Sequence, residues 1–541
     1  MYRPLLPDPG ELTLRQQLAQ FLVVRASGAW FDSQIRYPQY EAPNATLHRW
    51  IADLGVGGVI LLGGSAAELA LRTRQLQDWA EVPLLLAADI EEGVGQRFAG
   101  ATRMPPPLAL GAIHTCEPER AIALAQSFGE QTAREAVAVG LNWVLAPVCD
   151  VNNNPRNPVI NVRAFGEDPA TVAALASAFI GGTRAHPVLT SAKHFPGHGD
   201  TAVDSHLDLP VLPHDRARLE QIELAPFRAA IAAGGDSIMT AHLLLPELDA
   251  DYPATLSPAI LTDLLRQDLG YEGLIVTDAL VMQAIAARYG AAEAAVLAFE
   301  AGADILLMPA DPEAALDALE EAVLSGRIAE SRLAASLGRI WQAKQRVTGA
   351  SFDGPGHAWE SSPPDLPSQL AAVNRPSDRQ LSREVLTYSM DRHQAAVLTG
   401  TGVNWVLVDD WLLADYLGVN APALTIPPSH GWRTLRGDRQ GLPLILPSEP
   451  TLLQLFVRGN PFRGGGGLSE WAIAQVRALL SSGCLRGLVI YGSPYLWQQL
   501  RTELPEDVPG WFSYGQFSEA QALVMAEAFG TGRMGSGEFT T

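Results

Sequence analysis

Short apolar runs recur through the first part of the chain, at residues 21–24, 58–62, 84–88, 143–146, 188–192, 237–240, 274–277 and 304–307. Their apolarity is continuous, without an alternating polar face, which suits parallel strands covered on both sides. Helical periodicity between them, over residues 66–79, 118–139 and 169–185, predicts crossover helices. Eight such units predict an α/β fold class whose N-terminal part is a (β/α)8 barrel, spanning residues 1–348. A doubly wound open sheet is the rival arrangement, but it calls for a Gly-rich phosphate turn after an early strand. Gly63-Gly64-Ser65 is too short to be one.

Polar residues gather just past the predicted strand ends. Arg25 follows the first run, Asp89 the third, Asp150 the fourth, Lys193 and His194 the fifth, His242 the sixth and Asp278 the seventh. One acid in such a place is equally well a helix cap. Six strand ends together predict one functional face at the carboxyl end of the barrel, where the loops after the strands build active sites.

The richest run is Lys193-His194-Phe195-Pro196-Gly197-His198-Gly199-Asp200-Thr201-Ala202-Val203-Asp204-Ser205-His206. Its polarity argues against a core position, and Pro196, Gly197 and Gly199 rule out a continuing helix. It therefore reads as a loop that carries side chains to a ligand. Asp278 ends a buried strand on stiff backbone, a good mount for a nucleophile. Glycoside hydrolysis needs such a group at the anomeric carbon and a second that protonates the leaving oxygen. Asp204-Ser205-His206 offers the second, because a carboxylate touching the imidazole would favour its charged form and fix its tautomer. The histidines at 194, 198, 206 and 214 also invite a metal reading. Pro196 and Gly197 break the helix that would set His194 and His198 on one face, so no metal is expected.

At this point the run from Lys193 to His206 resembles the signature of family 3 glycoside hydrolases, in the β-N-acetylglucosaminidase branch. That signature is Lys-His, an aromatic or aliphatic residue, Pro-Gly, His or Thr, Gly, four free positions, then Asp, Ser or Thr, His. Asp89 with Arg97, the Arg163-Ala164-Phe165-Gly166-Glu167-Asp168-Pro169 segment and Thr277-Asp278-Ala279-Leu280-Val281-Met282 match further segments in the family's order. The resemblance implies a retaining exo-hydrolase with Asp278 as nucleophile, His206 as acid/base and Asp204 as its partner. Asp89, Arg97, Arg163, Lys193 and His194 are implied as ligands of the terminal sugar, and no cofactor is implied. The implied substrate is an oligosaccharide that yields terminal N-acetylglucosamine, from cell-wall muropeptide fragments or chitin-derived sugars. A β-glucosidase, a phosphorylase on the same scaffold, attack by the substrate's own acetamido group and a binding protein without catalysis stand as alternatives. One departure is visible: Asp89-Ile90-Glu91-Glu92-Gly93 carries Glu92 where the commoner Asp-x-Glu-Gly-Gly form has its first glycine.

Beyond residue 348, a Gly-, Ser- and Pro-rich linker is predicted over 349–376, then a smaller α/β sandwich domain over 377–530 and a disordered tail over 531–541. The second domain carries a helix near 377–390, strand-like runs at 405–408, 442–446, 455–458 and 487–491, and helical patterns at 470–480 and 519–529. The glycines 464–467 precede a helix without a following Lys-Ser or Lys-Thr pair, so they predict a flexible loop rather than a phosphate cradle. Support or acceptor-side contacts are expected of this domain.

Charge narrows the partners. The formal net charge of −21 at pH 7 argues against nucleic-acid and anionic-membrane surfaces. Cys116, Cys149 and Cys484 are odd in number and far apart, which predicts neither a disulfide framework nor a zinc cage. Residues 1–9 lack an apolar signal core and no run is long enough to span a bilayer, so a cytoplasmic protein is expected.

Overall fold

A computed structural model describes residues 6–201, 209–348, 366–394, 396–439, 446–458 and 466–531. Of the predicted tail over 531–541, residues 532–541 lie outside them, as do residues 349–365 of the predicted linker over 349–376, whose described part includes the short helix Leu366–Leu370. The first eight strands are β1 (Leu22–Ser27), β2 (Gly58–Leu62), β3 (Leu85–Ala88), β4 (Trp143–Val144), β5 (Leu189–Phe195), β6 (Ser237–Thr240), β7 (Leu274–Val276) and β8 (Leu306–Leu307). They form one parallel sheet in the order β7-β6-β5-β4-β3-β2-β1-β8. A parallel bridge from Val276 to Ile305 joins its two edges. This is the predicted eight-stranded barrel, with helices between the strands.

Local chemistry starts the helices where the apolar pattern requires them. Ser65 and Glu68 cap the helix Ala66–Trp79 reciprocally. Asp168 accepts from the backbone N–H groups of Ala170 and Thr171, and Pro169 opens the helix Pro169–Thr183. The aspartate of the Arg163 to Pro169 segment is thus a cap.

One expectation is corrected here. Lys193 and His194 do not leave the sheet for a loop, because β5 runs on through Phe195. Nor is the run too polar for the interior: Lys193, His194 and His198 are all buried. The reason is pairing: Lys193 and His194 meet carboxylates from other strand ends, and His198 meets the hydroxyl of Thr201, three residues on in the same loop.

The second sheet holds β9 (Asp391–His393), β10 (Gly402–Val408), β11 (Trp432–Asp438), β12 (Thr451–Val457), β13 (Leu485–Gly492) and β14 (Gly510–Ser513). Its order is β11-β10-β12-β13-β14-β9, parallel except for the edge strand β9. The helices Pro376–Ser389, Gly466–Ser481 and Ser518–Ala528 accompany it. Strands β9 and β14 were not expected, and neither was β11. As an edge strand it carries exposed Arg433 and Arg436, so its pattern is that of a surface segment. Of the predicted strand at 442–446, residues 442–445 lie outside the described ones and Leu446 is not in a strand. Among the described residues, no helix is long and apolar enough to cross a membrane.

Candidate active site

The carboxyl ends of β3, β4, β5 and β7 bring most of the singled-out polar residues together. Lys193, at the end of β5, places Nζ 2.7 Å from Asp89 Oδ1 and 2.7 Å from Glu91 Oε1. Glu91 also accepts a bidentate pair of hydrogen bonds from Arg163, at 2.8 Å each. Arg163 Nη2 stands 3.5 Å from His194 Nε2, and His194 Nδ1 lies 2.8 Å from Asp150 Oδ2. Asp150 Oδ1 accepts from the backbone N–H of His194 and of His198. A continuous chain of charged and polar groups therefore runs Asp89, Lys193, Glu91, Arg163, His194, Asp150. Arg97 is exposed beside it and donates from Nε to the carbonyl of Asp89.

The electrostatics follow from this pairing. Burial works to raise the Glu91 carboxyl, but Arg163 and Lys193 overcome it and hold Glu91 well below the usual carboxylate range. Asp89 is likewise held low by Lys193 and then Arg97 against the cost of burial. Asp150 stays low through His194 in the same way. The cations answer in kind: despite burial, Asp89 and Glu91 raise Lys193, and Glu91 raises Arg163. Charged donors and acceptors fixed in this way suit the hydroxyls of a sugar, which both give and take hydrogen bonds.

Asp278 lies just past β7. Its backbone N–H points at Thr240 Oγ1, and its Oδ1 accepts from the N–H of Ala279 at 2.7 Å. His242 steadies the same turn, with Nδ1 2.8 Å from Thr255 Oγ1 and Nε2 3.1 Å from the Ala279 carbonyl oxygen. The Asp278 carboxylate is near enough to act electrostatically on His198, which ties it to the charged chain. Asp204 and His206 lie outside the described residues. Arg25 sits apart from the chain, paired with Glu41 at 3.1 Å.

His198 itself is 1 % exposed, and burial pushes its imidazole down to about 4. It is neutral at pH 7, with Nδ1 2.9 Å from Thr201 Oγ1. Because the folded value lies below the unfolded one, near 6.5, this group's contribution is full above that pH and is lost as the pH falls towards 4. Between pH 7 and 5 it is expected to remove about 2 kcal/mol of stability. Urea unfolding at the two pH values, compared with His198→Asn, checks this; an equal loss in both proteins would show that the imidazole does not titrate on unfolding.

Two roles were not assigned from sequence. Glu91 is the shared acceptor of Lys193 and Arg163, and Asp150 orients His194. Asp150 had been noted only as a strand-end acid. Glu92, the departure noted above, is buried and paired with Arg103 and with Arg458 of the second domain. His214 meets Asp200 at 3.0 Å, and among the described residues no group of three or more His, Cys, Asp or Glu could hold a metal.

Comparison with known proteins bears on this arrangement. Residues 13–343 match the glycosyl hydrolase family 3 N-terminal domain, and residues 397–530 match the bacterial glycosyl hydrolase family 3 C-terminal domain. The chain is 36% identical over 409 residues to β-hexosaminidase A of Pseudoalteromonas piscicida, covering 69% of this chain and 66% of that protein. It is 38% identical over 275 residues to a β-hexosaminidase of Thiobacillus denitrificans, covering 50% of this chain and 76% of that one. Among solved structures, a family 3 β-N-acetylglucosaminidase from a Paenibacillus species superposes with a TM-score of 0.74 at 29% identity, over 96% of this chain and 97% of that one. The first of these domain matches by itself spans more than half of the sequence, and the chain belongs to glycosyl hydrolase family 3.

Proposed function

We propose that this protein is an exo-acting, retaining β-N-acetylglucosaminidase that removes terminal N-acetylglucosamine from cell-wall fragments or chito-oligosaccharides in the cytoplasm. The observation that carries this reading is the charged chain from Asp89 to Asp150, set on one barrel face with Asp278. Asp89, Arg97, Arg163, Lys193 and His194 hold the hydroxyls of the terminal sugar. Asp278 attacks the anomeric carbon to form a glycosyl ester, while His206, paired with Asp204, protonates the leaving oxygen. His206 then takes a proton from the water that releases the sugar. The names of the relatives, β-hexosaminidases and a β-N-acetylglucosaminidase, favour an acetamido sugar. A relative from Cellulomonas fimi, 34% identical over 301 residues, is named β-N-acetylglucosaminidase/β-glucosidase, so the matching glucoside is the second substrate to test.

Hydrolysis of 4-nitrophenyl β-N-acetylglucosaminide beside the glucoside decides between them. Selective release from the acetamido substrate is the expected result, with β-N-acetylglucosamine as the first-formed anomer by NMR. Turnover of the glucoside alone would replace the substrate assignment. A sugar phosphate formed faster than free sugar in phosphate buffer would make the enzyme a phosphorylase. Binding of N-acetylglucosamine oligomers without turnover would sink the catalytic reading.

A further inference from the structure

Glu92 is 1 % exposed and adjoins Glu91, another buried carboxylate. Burial and the neighbouring Glu91 both work to raise its pKa, yet Arg458 and then Arg103 hold it below the ordinary value. Arg103 reaches it only at 3.5 Å, whereas Arg458 makes the close contact. Arg458 directly follows β12, so the nearer cation on this barrel loop belongs to the second domain. Arg103 depends on that domain too, through Phe517, whose ring faces its guanidinium at 5.5 Å, and through Ser382, whose hydroxyl donates to its carbonyl. Glu92 in turn fixes the loop at its backbone: its N–H donates to Gln96 Oε1, and its carbonyl accepts from Met104 N–H.

A second contact reaches the other half of the charged chain. Tyr495, three residues after β13, donates from its hydroxyl to Glu167 Oε1 at 2.7 Å and accepts from Asn152 Nδ2. Asn152 Oδ1 accepts from the N–H of Asn161, a residue held at φ 45° at the start of the short helix Asn161–Arg163. That helix delivers Arg163 to Glu91. The carboxyl ends of two adjacent parallel strands, β12 and β13, thus hold the two barrel loops that meet in the Arg163–Glu91 pair.

We propose that the C-terminal domain sets the sugar-binding loops of the barrel, with Arg458 as a positioning residue acting through Glu92 and Tyr495 as a second acting through Asn152. The proposal rests on the reading that Asp89 and Arg163 bind the terminal sugar. Without Arg458, Glu92 is a buried carboxylate left to a single distant guanidinium. The loop that carries Asp89, Glu91 and Glu92 must then shift to bring the Glu92 carboxylate closer to Arg103 or to water, and that shift displaces the sugar ligands.

The test compares wild type, Arg458→Ala, Arg458→Lys and the double variant Arg458→Ala/Glu92→Gln in the full chain. Kinetics use both nitrophenyl glycosides, and hydrogen exchange is followed over residues 89–104. Arg458→Ala is expected to raise KM about tenfold on whichever glycoside is cleaved, and to speed exchange across that segment. Arg458→Lys, which keeps the charge, and Glu92→Gln, which removes the stranded one, are each expected to bring both readouts most of the way back. Unchanged KM and exchange in Arg458→Ala would overturn the proposal. So would a loss confined to kcat and melting temperature that neither second change restores, because that pattern marks a merely structural contact. Cleavage of the glucoside alone would refute the acetamido reading while leaving the Arg458 comparison intact on that substrate. If neither glycoside is cleaved, the exchange result alone decides.

Discussion

Asp278→Asn is expected to lower kcat on 4-nitrophenyl β-N-acetylglucosaminide by at least about a thousandfold, an increase in barrier of about 4 kcal/mol. The substitution nearly conserves shape, and the turn is held independently by His242 against the Ala279 carbonyl. The loss should therefore appear in kcat, with melting temperature little changed. An amide oxygen in that place cannot form the glycosyl ester, so the first chemical step fails while sugar binding persists. The buried strand Leu274–Val276 and the Thr240 and Ala279 contacts fix the carboxylate in advance, which spares the reaction the entropy of orienting it. A 2-fluoro sugar should mark wild type with an ester that mass spectrometry locates on the peptide containing Asp278. Activity within tenfold of wild type, or a label elsewhere, would move the role away from Asp278. The acetamido oxygen of the substrate would be the first replacement to consider.

Sequence made the barrel legible because its strands are covered on both faces, and continuous runs such as Gly58-Val59-Ile60-Leu61-Leu62 need no partner to be recognised. The chemistry of the strand ends was legible only in part. Lys193 and Asp89 are 104 residues apart, and His194 and Asp150 are 44 apart. No local pattern says that each buried polar group meets the other, so the Lys193 run looked too polar for the interior. Glu91 stood in plain view within the Asp89 segment, yet its share in holding both Lys193 and Arg163 is a property of the folded loops. Glu92 carried a signal as a charged residue in a glycine's place, and its partner Arg458 lies 366 residues away in another domain. Strand β11 was hidden for the opposite reason, since an edge strand needs few apolar residues.

Lys193→Met should be the most destabilising single change in the site, by about 3–5 kcal/mol at pH 8. The side chain is 1 % exposed and holds two carboxylates of which Glu91 is as deeply buried. Methionine nearly fills the volume, so the loss reports charge and not a cavity. In wild type, Glu91 and Asp89 have folded pKa values below their unfolded ones. Their contribution is therefore present above the unfolded values, near 4, and is lost as the pH falls through the folded ones. In Lys193→Met only Arg163 faces Glu91 directly, burial pushes the carboxyls upward, and proton uptake on folding relieves the unpaired charge. The gap between variant and wild type should then narrow as the pH is lowered from 8 to 5, as read by urea unfolding. A gap below about 1 kcal/mol that does not move with pH would mean that the ammonium adds nothing that a methionine cannot, as some buried ion pairs do. A gap that narrows would show that Lys193 keeps two carboxylates ionised inside the barrel mouth. That is the condition for Asp89 to accept, rather than donate, hydrogen bonds from a sugar.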